Sequence, residues 1–565
     1  MRPMKMLRLA AHAACLPLFA AALSPAHASV TNATGAAPRI AWRPCPDAWT
    51  GPTSANLGNR LTCGSMSAPL DHEAPDGNVL EIGVIRVSAA MPALREGTIF
   101  FHAGGPGAHP GTLMQSIARA WTDSYVPYKR RLAERFDFVA VIPRGLVGSG
   151  ELRCVTGMPP SYAPLPGDLG DANWNLMLSE AQAIADACRA PSHARYINTE
   201  QHVHDMDMLR RALGEQRIHF YGASHGSLVG AWYASVYPQH TGRMLWDSGF
   251  NVTRDYTAAL QSAIAAQHEA LVRNALAPIQ RDPARYGFGS NPGIVAEAND
   301  KLRVLMRKVR LSAIETPVEL AAALHFANLW EAHRPATLDA MLRLLRHPLA
   351  PDPNMDARLR QLANTLAEWV YTPAPTTPRF QSGPEADSVR IVVPCNDMPS
   401  TRGEEAIRQA AREDSRRYLS MTGREVVDEI ICLRWGPPTA RPMVQSNIDH
   451  VPPFLMLQSE ADTSTPLAGA MDMLDRFGNA RMLLVRNSKE HGLFNFTRSP
   501  CIEQTAARYL ATGQLPETGS RVFACDGTLG NPLEGIPGEP PPPFVEPVAA
   551  TLPPTSPPPV SHDEL

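Results

Sequence analysis

The spacing of apolar residues along the chain predicts an α/β protein. Short runs of aromatic and β-branched residues at positions 98–101, 217–221, 454–458 and 482–486 have the length and composition of buried strands. Longer segments with apolar residues three and four positions apart predict helices, one of which follows residue 224 and ends before Pro238. This alternation favours a mostly parallel central sheet flanked by helices.

The same pattern divides the chain into segments. Residues 254–445 are mostly helical in pattern, for example YTAALQSAIAAQHEALVRNAL, and predict a large helical cap inserted between the two parts of a sheet-containing core, residues 38–253 and 446–530. Such a cap would limit a site beneath it to small or narrow substrates. Residues 537–565 are rich in proline and lack an apolar face, which predicts an extended, disordered tail.

Both ends of the chain carry targeting patterns. Residues 1–28 predict a signal peptide, with a basic start, a short apolar stretch and Ala-His-Ala before Ser29. Cys15 leaves a lipoprotein open, although His12 stands where a lipobox prefers Leu. The final His-Asp-Glu-Leu matches an ER-retention signal, but the Ala-, Pro- and Arg-rich composition indicates a bacterial protein, in which that match is accidental. We therefore expect export to the periplasm or the cell exterior.

Cysteine usage is consistent with export. Apart from Cys15, eight cysteines remain, and no C-x-x-C pair or Cys/His cluster predicts a metal site. Closeness in sequence favours four disulfides: Cys45–Cys63, Cys154–Cys188, Cys395–Cys432 and Cys501–Cys525. The net charge of −3 and the lack of long basic runs argue against a nucleic-acid partner. We expect no metal or organic cofactor and no membrane span in the mature chain, and oligomeric state is not predicted.

The segment YGASHGSLVG, residues 221–230, joins a predicted strand to a predicted helix. It fits G-x-S-x-G, in which a serine stands on a strained turn and glycines remove Cβ atoms that would clash there. Ser224 is therefore the candidate nucleophile. His225 is a poor base, because the side chain after the nucleophile points away from it, but its backbone N–H is a candidate oxyanion donor.

Further catalytic groups follow other predicted strands. Asp462 lies after the strand at 454–458 and His491 after the strand at 482–486, and the order Ser224, Asp462, His491 is that of an α/β-hydrolase. His491 would accept the proton of Ser224, and Asp462 would orient the imidazole; Glu460 is an alternative acid. The Gly-Gly-Pro-Gly run at 104–107 is either a plain turn or a loop in which Gly104 supplies a second oxyanion N–H.

From residue 40 to 525 the chain resembles the exported tripeptidyl aminopeptidase and prolyl aminopeptidase-like α/β-hydrolases. The resemblance rests on LTCGSMSAPLDH, GGPG, GASHGS, WDSG, PCNDMP, DTSTP, EHG and the segment CIEQTAARYLATGQLPETGSRVFAC. It implies an α/β-hydrolase fold with a cap, the triad Ser224, Asp462 and His491, oxyanion donors at Gly104 and His225, and the four disulfides above. It also implies a serine aminopeptidase that acts on short peptides through an acyl-enzyme.

Several positions depart from the family pattern. His225 replaces an aromatic residue, Ile142 replaces an Asp in a loop whose glycine spacing is shifted, and Ser459 replaces a Gly. We expect the Ile142 change to reshape the site entrance, so an esterase with the same triad remains an alternative, and a non-catalytic exported binding protein is a further one. An aminopeptidase also needs a group that binds the substrate ammonium, for which the cap offers Glu331, Glu368 and Asp397.

Overall fold

One sheet runs through the residues that the computed structural model describes, which are 39–51, 57–154, 169–271, 385–398, 400, 402–417, 424–495, 499–527 and 548–549. Its ten strands are β1 (Leu61–Pro69), β2 (Val79–Val87), β3 (Gly97–His102), β4 (Phe136–Val141), β5 (Ile218–Ala223), β6 (Thr241–Asp247), β7 (Phe454–Ser459), β8 (Ala480–Arg486), β9 (Val522–Asp526) and β10 (Val548–Ala549).

The strand order is β1-β2-β4-β3-β5-β6-β7-β8-β9-β10. From β4 to β9 every neighbouring pair is parallel, whereas β1, β2 and β10 pair antiparallel at the two ends of the sheet. Parallel strands present their carboxyl ends at one edge, so the loops that follow β3, β5, β6, β7 and β8 meet there.

Twelve helices are described, together with a few short 3₁₀ turns. They are α1 (Asp47–Thr50), α2 (Pro110–Thr122), α3 (Pro127–Arg135), α4 (Asp171–Arg189), α5 (Thr199–Ala212), α6 (His225–Val236), α7 (Tyr256–Leu271), α8 (Glu385–Asp397), α9 (Glu404–Arg417), α10 (Arg424–Trp435), α11 (Leu467–Arg476) and α12 (Pro500–Thr512). No helix among the described residues is long and apolar enough to cross a membrane.

Successive residues of the central strands enter two different apolar clusters. Phe101, Tyr221 and Leu455 pack in one cluster, to which α2, α3 and α12 contribute, and the adjacent Phe100 and Phe220 pack in the other, with α5, α6 and α11. Because the side chains of a strand alternate between its faces, a sheet covered by helices on both faces needs continuous apolar runs. The apolar runs of the sequence meet this requirement, and the predicted fold class is confirmed.

The predicted cap lies between two strands that are neighbours in the sheet. The chain leaves at Asp247 and returns at Phe454, and β6 pairs with β7 in parallel. The described part of this insert contains α7, α8, α9 and α10, so it is helical, and α8 is joined to α10 by the Cys395–Cys432 disulfide. The other helical patterns predicted for the insert lie outside the described residues.

The eight cysteines of the described chain form four disulfides. These are Cys45–Cys63, Cys154–Cys188, Cys395–Cys432 and Cys501–Cys525. Each joins residues that are 18 to 37 positions apart. The set ties the N-terminal segment, α4, two helices of the insert and the last helix to their neighbours.

The tail departs from the prediction at one place. Val548 and Ala549, which interrupt the proline run, form β10 and pair antiparallel with Ala524 and Phe523 of β9. Unlike proline, both residues have a backbone N–H, so they are able to pair with an edge strand. The remainder of the proline-rich segment lies outside the described residues.

Candidate active site

The turn between β5 and α6 holds Ser224 in a strained conformation. Its φ and ψ are 55° and −126°, a combination that non-glycine residues rarely adopt. A Cβ on Gly222 would lie 2.4 Å from the carbonyl oxygen of Gly226, and one on Gly226 would lie 2.9 Å from that of His102. Neither position of the motif therefore has room for a side chain. With glycine at both, the turn presents the half-buried serine at the carboxyl edge of the sheet.

Asp462 and His491 contact each other at the same edge. The Nδ1 atom of His491 lies 2.9 Å from Oδ2 and 3.2 Å from Oδ1 of Asp462. Asp462 is buried, and its Oδ1 also accepts the backbone N–H groups of Ser464 (2.8 Å) and Thr465 (2.9 Å). The carboxylate is thus fixed in the loop after β7 and oriented toward the imidazole.

The environment of His491 favours its protonated form. Burial acts to lower the pKa of the imidazole, but the charge of Asp462, its hydrogen bond and the charge of Asp247 outweigh burial, so the pKa is raised. Glu460, the alternative acid, is exposed, and its Oε2 accepts the N–H of Asn487 at 2.9 Å. The structure therefore places Asp462, and not Glu460, on the imidazole.

The turn of Ser224 and the loop of His491 meet at the end of β6. The N–H of Ser224 donates to the carbonyl oxygen of Asp247 at 2.8 Å. The next residue, Ser248, accepts the N–H of Gly492 on its Oγ at 2.8 Å. Sequence reasoning did not single out Asp247 or Ser248, although the motif WDSG contains both.

The glycine-rich loop after β3 lies against the turn of Ser224. A Cβ on Gly104 would lie 2.5 Å from the carbonyl oxygen of Ala223 and 3.3 Å from Cβ of Ser224. The N–H of Gly104, a predicted oxyanion donor, donates to Nδ1 of His102 at 3.1 Å. To bind an oxyanion, this N–H has to be shared with His102 or released from it.

His225 begins α6, and its two polar groups have different surroundings. Its backbone N–H belongs to the first turn of the helix, where no intrahelical acceptor exists. Its buried imidazole lies beside His102, with ring centroids 6.0 Å apart, and Nδ1 has no hydrogen-bond partner among the described residues. Burial and then the nearby His202 lower the pKa of His225 to about 3, so the imidazole is neutral.

A pocket lies next to this histidine and is bordered by α8 of the insert. It is lined by His102, His202 and His225, by Pro143 and Arg144 after β4, and by Val389 and Val393 of α8, among others. The guanidinium of Arg144 is engaged by Asp205, at 2.7 and 2.9 Å, and by backbone carbonyls, so it is a structural cation of the pocket wall.

Two expectations about the site do not match the structure. Ile142, expected to reshape the entrance, is fully buried, and its N–H pairs with the carbonyl oxygen of Gly83 as a continuation of the β2–β4 ladder. Asp397, a candidate for the ammonium, accepts the N–H and the hydroxyl of Thr199 at 2.8 and 2.6 Å. Both of its oxygens therefore hold the first turn of α5. Glu331 and Glu368 lie outside the described residues.

The described residues contain no cluster of His, Cys, Asp or Glu side chains with the geometry of a metal site. The arrangement that they do contain is a strained serine, an imidazole–carboxylate pair and a glycine-rich loop, all at one edge of the sheet. Such an arrangement supports nucleophilic attack on an acyl group with proton transfer through the imidazole.

Comparison with known proteins agrees with the fold. A family model described as alpha/beta hydrolase fold matches residues 97–304, and one described as TAP-like protein matches residues 419–522. The tripeptidyl aminopeptidase of Streptomyces lividans is 26% identical, with 88% of each chain covered. The serine protease Hip1 of Mycobacterium tuberculosis is 24% identical over 85% of this chain and 90% of that protein. Carboxylesterase B of Mycobacterium tuberculosis is 25% identical over 89% of this chain and 94% of that protein.

Proposed function

Because the chain is an α/β-hydrolase with a TAP-like C-terminal segment and is homologous to tripeptidyl aminopeptidases, we propose that it is an exported serine aminopeptidase. It releases N-terminal residues from short peptides through the triad Ser224, Asp462 and His491. The observation that carries the proposal is the 2.9 Å contact between Nδ1 of His491 and Asp462, at the sheet edge that also presents the strained Ser224. Four disulfides in the described chain support export to an oxidising compartment.

The first half of the reaction forms an acyl-enzyme. The Oγ atom of Ser224 attacks the scissile carbonyl while Nε2 of His491 takes its proton, and the carboxylate of Asp462 stabilises the imidazolium. The N–H of His225, at the start of α6, and the glycine-rich loop at residue 104 stabilise the oxyanion. The C–N bond then breaks as His491 returns its proton to the leaving amine.

The second half releases the N-terminal fragment. A water molecule gives a proton to His491 and attacks the ester carbonyl, and the tetrahedral intermediate collapses with the proton returned to Oγ of Ser224. The enzyme is regenerated without any cofactor among the reacting groups. The raised pKa of His491 suits the imidazole to hold the proton between these steps.

The proposal is tested with three chromogenic substrates and the purified protein. They are a tripeptide anilide with a free amine, the same anilide with its amine acetylated, and a short-chain phenyl ester. We expect cleavage of the free-amine anilide and not of its acetylated form, and no cleavage by Ser224→Ala or His491→Ala. His450→Ala, which removes an exposed histidine, serves as the control and keeps full activity.

Two results would contradict the proposal. Cleavage of the ester alone would assign the triad to an esterase, the activity named for one of the relatives. Substantial turnover by a folded Ser224→Ala protein would show that the triad is wrong, since the loss of the nucleophile normally removes nearly all turnover.

A further inference from the structure

The loop that carries His491 is held by side chains from β5, β7 and α12 and from the end of β6. We refer to residues 490–495 as the base loop. Two of its carbonyl oxygens accept side-chain hydroxyls, Glu490 from Ser459 (2.6 Å) and Phe494 from Tyr221 (3.2 Å). Its N–H groups donate to side chains from Glu490 to Ser488 (3.3 Å), Gly492 to Ser248 (2.8 Å), Leu493 to Asp247 (2.9 Å), Phe494 to Asp247 (2.8 Å) and Asn495 to Glu503 (2.9 Å). Loops of this kind usually bond to solvent or to themselves, so this degree of anchoring indicates a demand for fixed geometry.

Asp247 connects the base loop to the nucleophile. Its side chain is fully buried at the end of β6 and accepts two consecutive N–H groups of the base loop, those of Leu493 and Phe494. Its carbonyl oxygen accepts the N–H of Ser224 at 2.8 Å. One residue therefore contacts the turn of the nucleophile with its backbone and the loop of the base with its carboxylate.

Ser459 holds the base loop on the other side of His491. It is the last residue of β7 and is fully buried. Its hydroxyl donates to the carbonyl oxygen of Glu490, the residue directly before His491, and lies 3.1 Å from the hydroxyl of Ser488. A glycine at this position, as the family pattern has, would lack the hydroxyl and this hydrogen bond.

We propose that Asp247 and Ser459 are positioning residues that set the distance between His491 and Ser224 by holding the base loop from β6 and β7. The inference rests on the proposed function, because it acts through the same triad. Neither residue has to touch the substrate. Their effect is on the step in which the proton moves between Ser224 and His491, which is sensitive to misplacement by an ångström or less.

The charge of Asp247 adds a second effect on His491. Asp462 and Asp247 are the acids that act on the imidazole, and Lys489 and Glu490 directly precede His491 in the chain. Tyr221 of β5 donates its hydroxyl to Asp247 at 3.2 Å, and α12 contributes Glu503. Burial raises the pKa of Asp247 to about 6, against the lowering effect of the two N–H groups and His491, so the carboxylate is ionised at neutral pH. Its charge helps to raise the pKa of His491.

The test compares Asp247→Asn and Ser459→Ala with the wild type. An amide at position 247 offers only one acceptor oxygen for the N–H groups of Leu493 and Phe494. Its NH₂ group then faces the N–H that the oxygen does not accept. We expect kcat to fall by about 10- to 100-fold with KM changed by less than about twofold, the range typical of outer groups that orient a reacting residue. Ser459→Ala, which removes the hydrogen bonds of one hydroxyl and no charge, should lower kcat by roughly three- to tenfold.

The pH profile of kcat/KM separates positioning from a general loss of structure. In Asp247→Asn the acid limb should move to lower pH, because the charge that raises the pKa of His491 is gone. In Ser459→Ala it should stay in place. The matched control is Asp449→Asn, which removes an exposed acid paired with Arg476 and should leave kcat, KM and the profile unchanged.

Three results would overturn the inference. One is a folded Asp247→Asn protein with wild-type kcat, and another is a lower kcat without movement of the acid limb, which would assign Asp247 a structural role only. If circular dichroism shows that Asp247→Asn does not fold, the test depends on Ser459→Ala, and a wild-type kcat there overturns it. The Ser224→Ala protein is run in parallel, because its turnover tests the triad itself and so distinguishes failure of the proposed function from failure of this inference.

Discussion

The imidazole of His102 accepts a hydrogen bond on Nδ1 from the backbone N–H of Gly104, at 3.1 Å. Nδ1 is therefore unprotonated, and the neutral ring carries its proton on Nε2. Burial, followed by the effects of His202 and His225, holds the pKa of His102 well below its usual value, which preserves this acceptor. The glycine-rich loop beside Ser224 is thus held in shape by a neutral histidine at the end of the strand that precedes it.

Gly104→Ala is expected to lower activity strongly. The residue has a φ of 85°, and an added Cβ would lie 2.5 Å from the carbonyl oxygen of Ala223, so the loop has to move away from the nucleophile turn. We expect kcat/KM to fall by about 100-fold or more, because a shift of one ångström at a reacting centre costs that much.

The matched control for this substitution is Gly403→Ala. An added Cβ at Gly403 meets no atom within 4 Å, and the residue directly precedes α9. Both proteins are measured with the free-amine anilide after their melting temperatures have been compared. A fully active Gly104→Ala protein would mean that the loop does not take part in catalysis.

Asp462→Asn is expected to lower kcat by about 10³- to 10⁴-fold, since the amide favours the wrong tautomer of the imidazole and no longer stabilises its charge. It also removes the charge and the hydrogen bond that raise the pKa of His491, so the acid limb of residual kcat/KM should move to lower pH. Glu460→Gln, in which the alternative acid is replaced, should stay within about twofold of the wild type. If the two substitutions had equal effects, the assignment of the acid would be wrong.

Stability should fall as the pH is lowered from about 6.5 to 4. Burial lowers the pKa of several histidines, to about 4 in His109 and His202 and to about 3 in His204, His219 and His225. In this window the unfolded chain binds protons at these side chains and the folded chain does not, so each histidine favours unfolding progressively as the pH falls, by about 1.4 kcal/mol per unit of pH.

Two buried acids act in the opposite direction. Burial raises the pKa of Asp247 to about 6 and that of Asp397 to about 7, so their contribution to stability falls as the pH rises from about 4 to 7. Denaturant unfolding at several pH values measures the combined effect of these histidines and acids on the free energy of unfolding. His202→Gln should lower the slope of the free energy of unfolding against pH, between about pH 4 and 6.5, by the equivalent of about one bound proton. His450→Gln, at an exposed position, should not change this slope. An unchanged slope in His202→Gln would contradict the assignment of a neutral, buried His202.

Loss of the Cys395–Cys432 disulfide is expected to affect both stability and substrate use. Opening a loop of 37 residues should lower the free energy of unfolding by about 2–4 kcal/mol. The bond also holds α8, whose Val389 and Val393 line the pocket, so kcat/KM for the peptide anilide should fall as well. A protein with both cysteines replaced by alanine is compared with the wild type by denaturant unfolding and by kinetics.

Replacement of Cys45 and Cys63 provides the control for this disulfide. That bond spans 18 residues and joins the N-terminal segment to β1, at the far end of the sheet. Its loss should lower stability without changing kcat/KM. Equal kinetic effects of the two double substitutions would show that α8 has no particular role at the pocket.

Much of the fold was predictable because the relevant signals are local. The runs of apolar residues place β5 and β8 within two residues of their observed bounds, and the G-x-S-x-G motif predicts the turn at Ser224. Glycine at 222 and 226 is dictated by contacts within the turn and with the adjacent strand. The predicted fold class is confirmed for the same reason, since strands buried on both faces require continuous apolar runs.

The errors and omissions come from contacts between segments that are distant in sequence. Ile142 was interpreted from its place in a loop motif, but its position in the core depends on the pairing of β2 with β4. Asp397 is a buried carboxylate whose role is decided by Thr199, about 200 residues away. Neither contact leaves a local pattern in the sequence.

The sequence by itself determined the chemistry that is available: a serine on a turn where glycines are required, an acid and a histidine after two later strands, and eight cysteines that can pair. Only the tertiary structure decided which groups meet. It selects Asp462 over Glu460 for the imidazole, engages the N–H of Gly104 with His102, and places Asp247 between the turn of Ser224 and the base loop. The physical reason is that local spacing determines the conformation of a segment, whereas the registers of nonconsecutive strands determine which loop ends lie within hydrogen-bond distance.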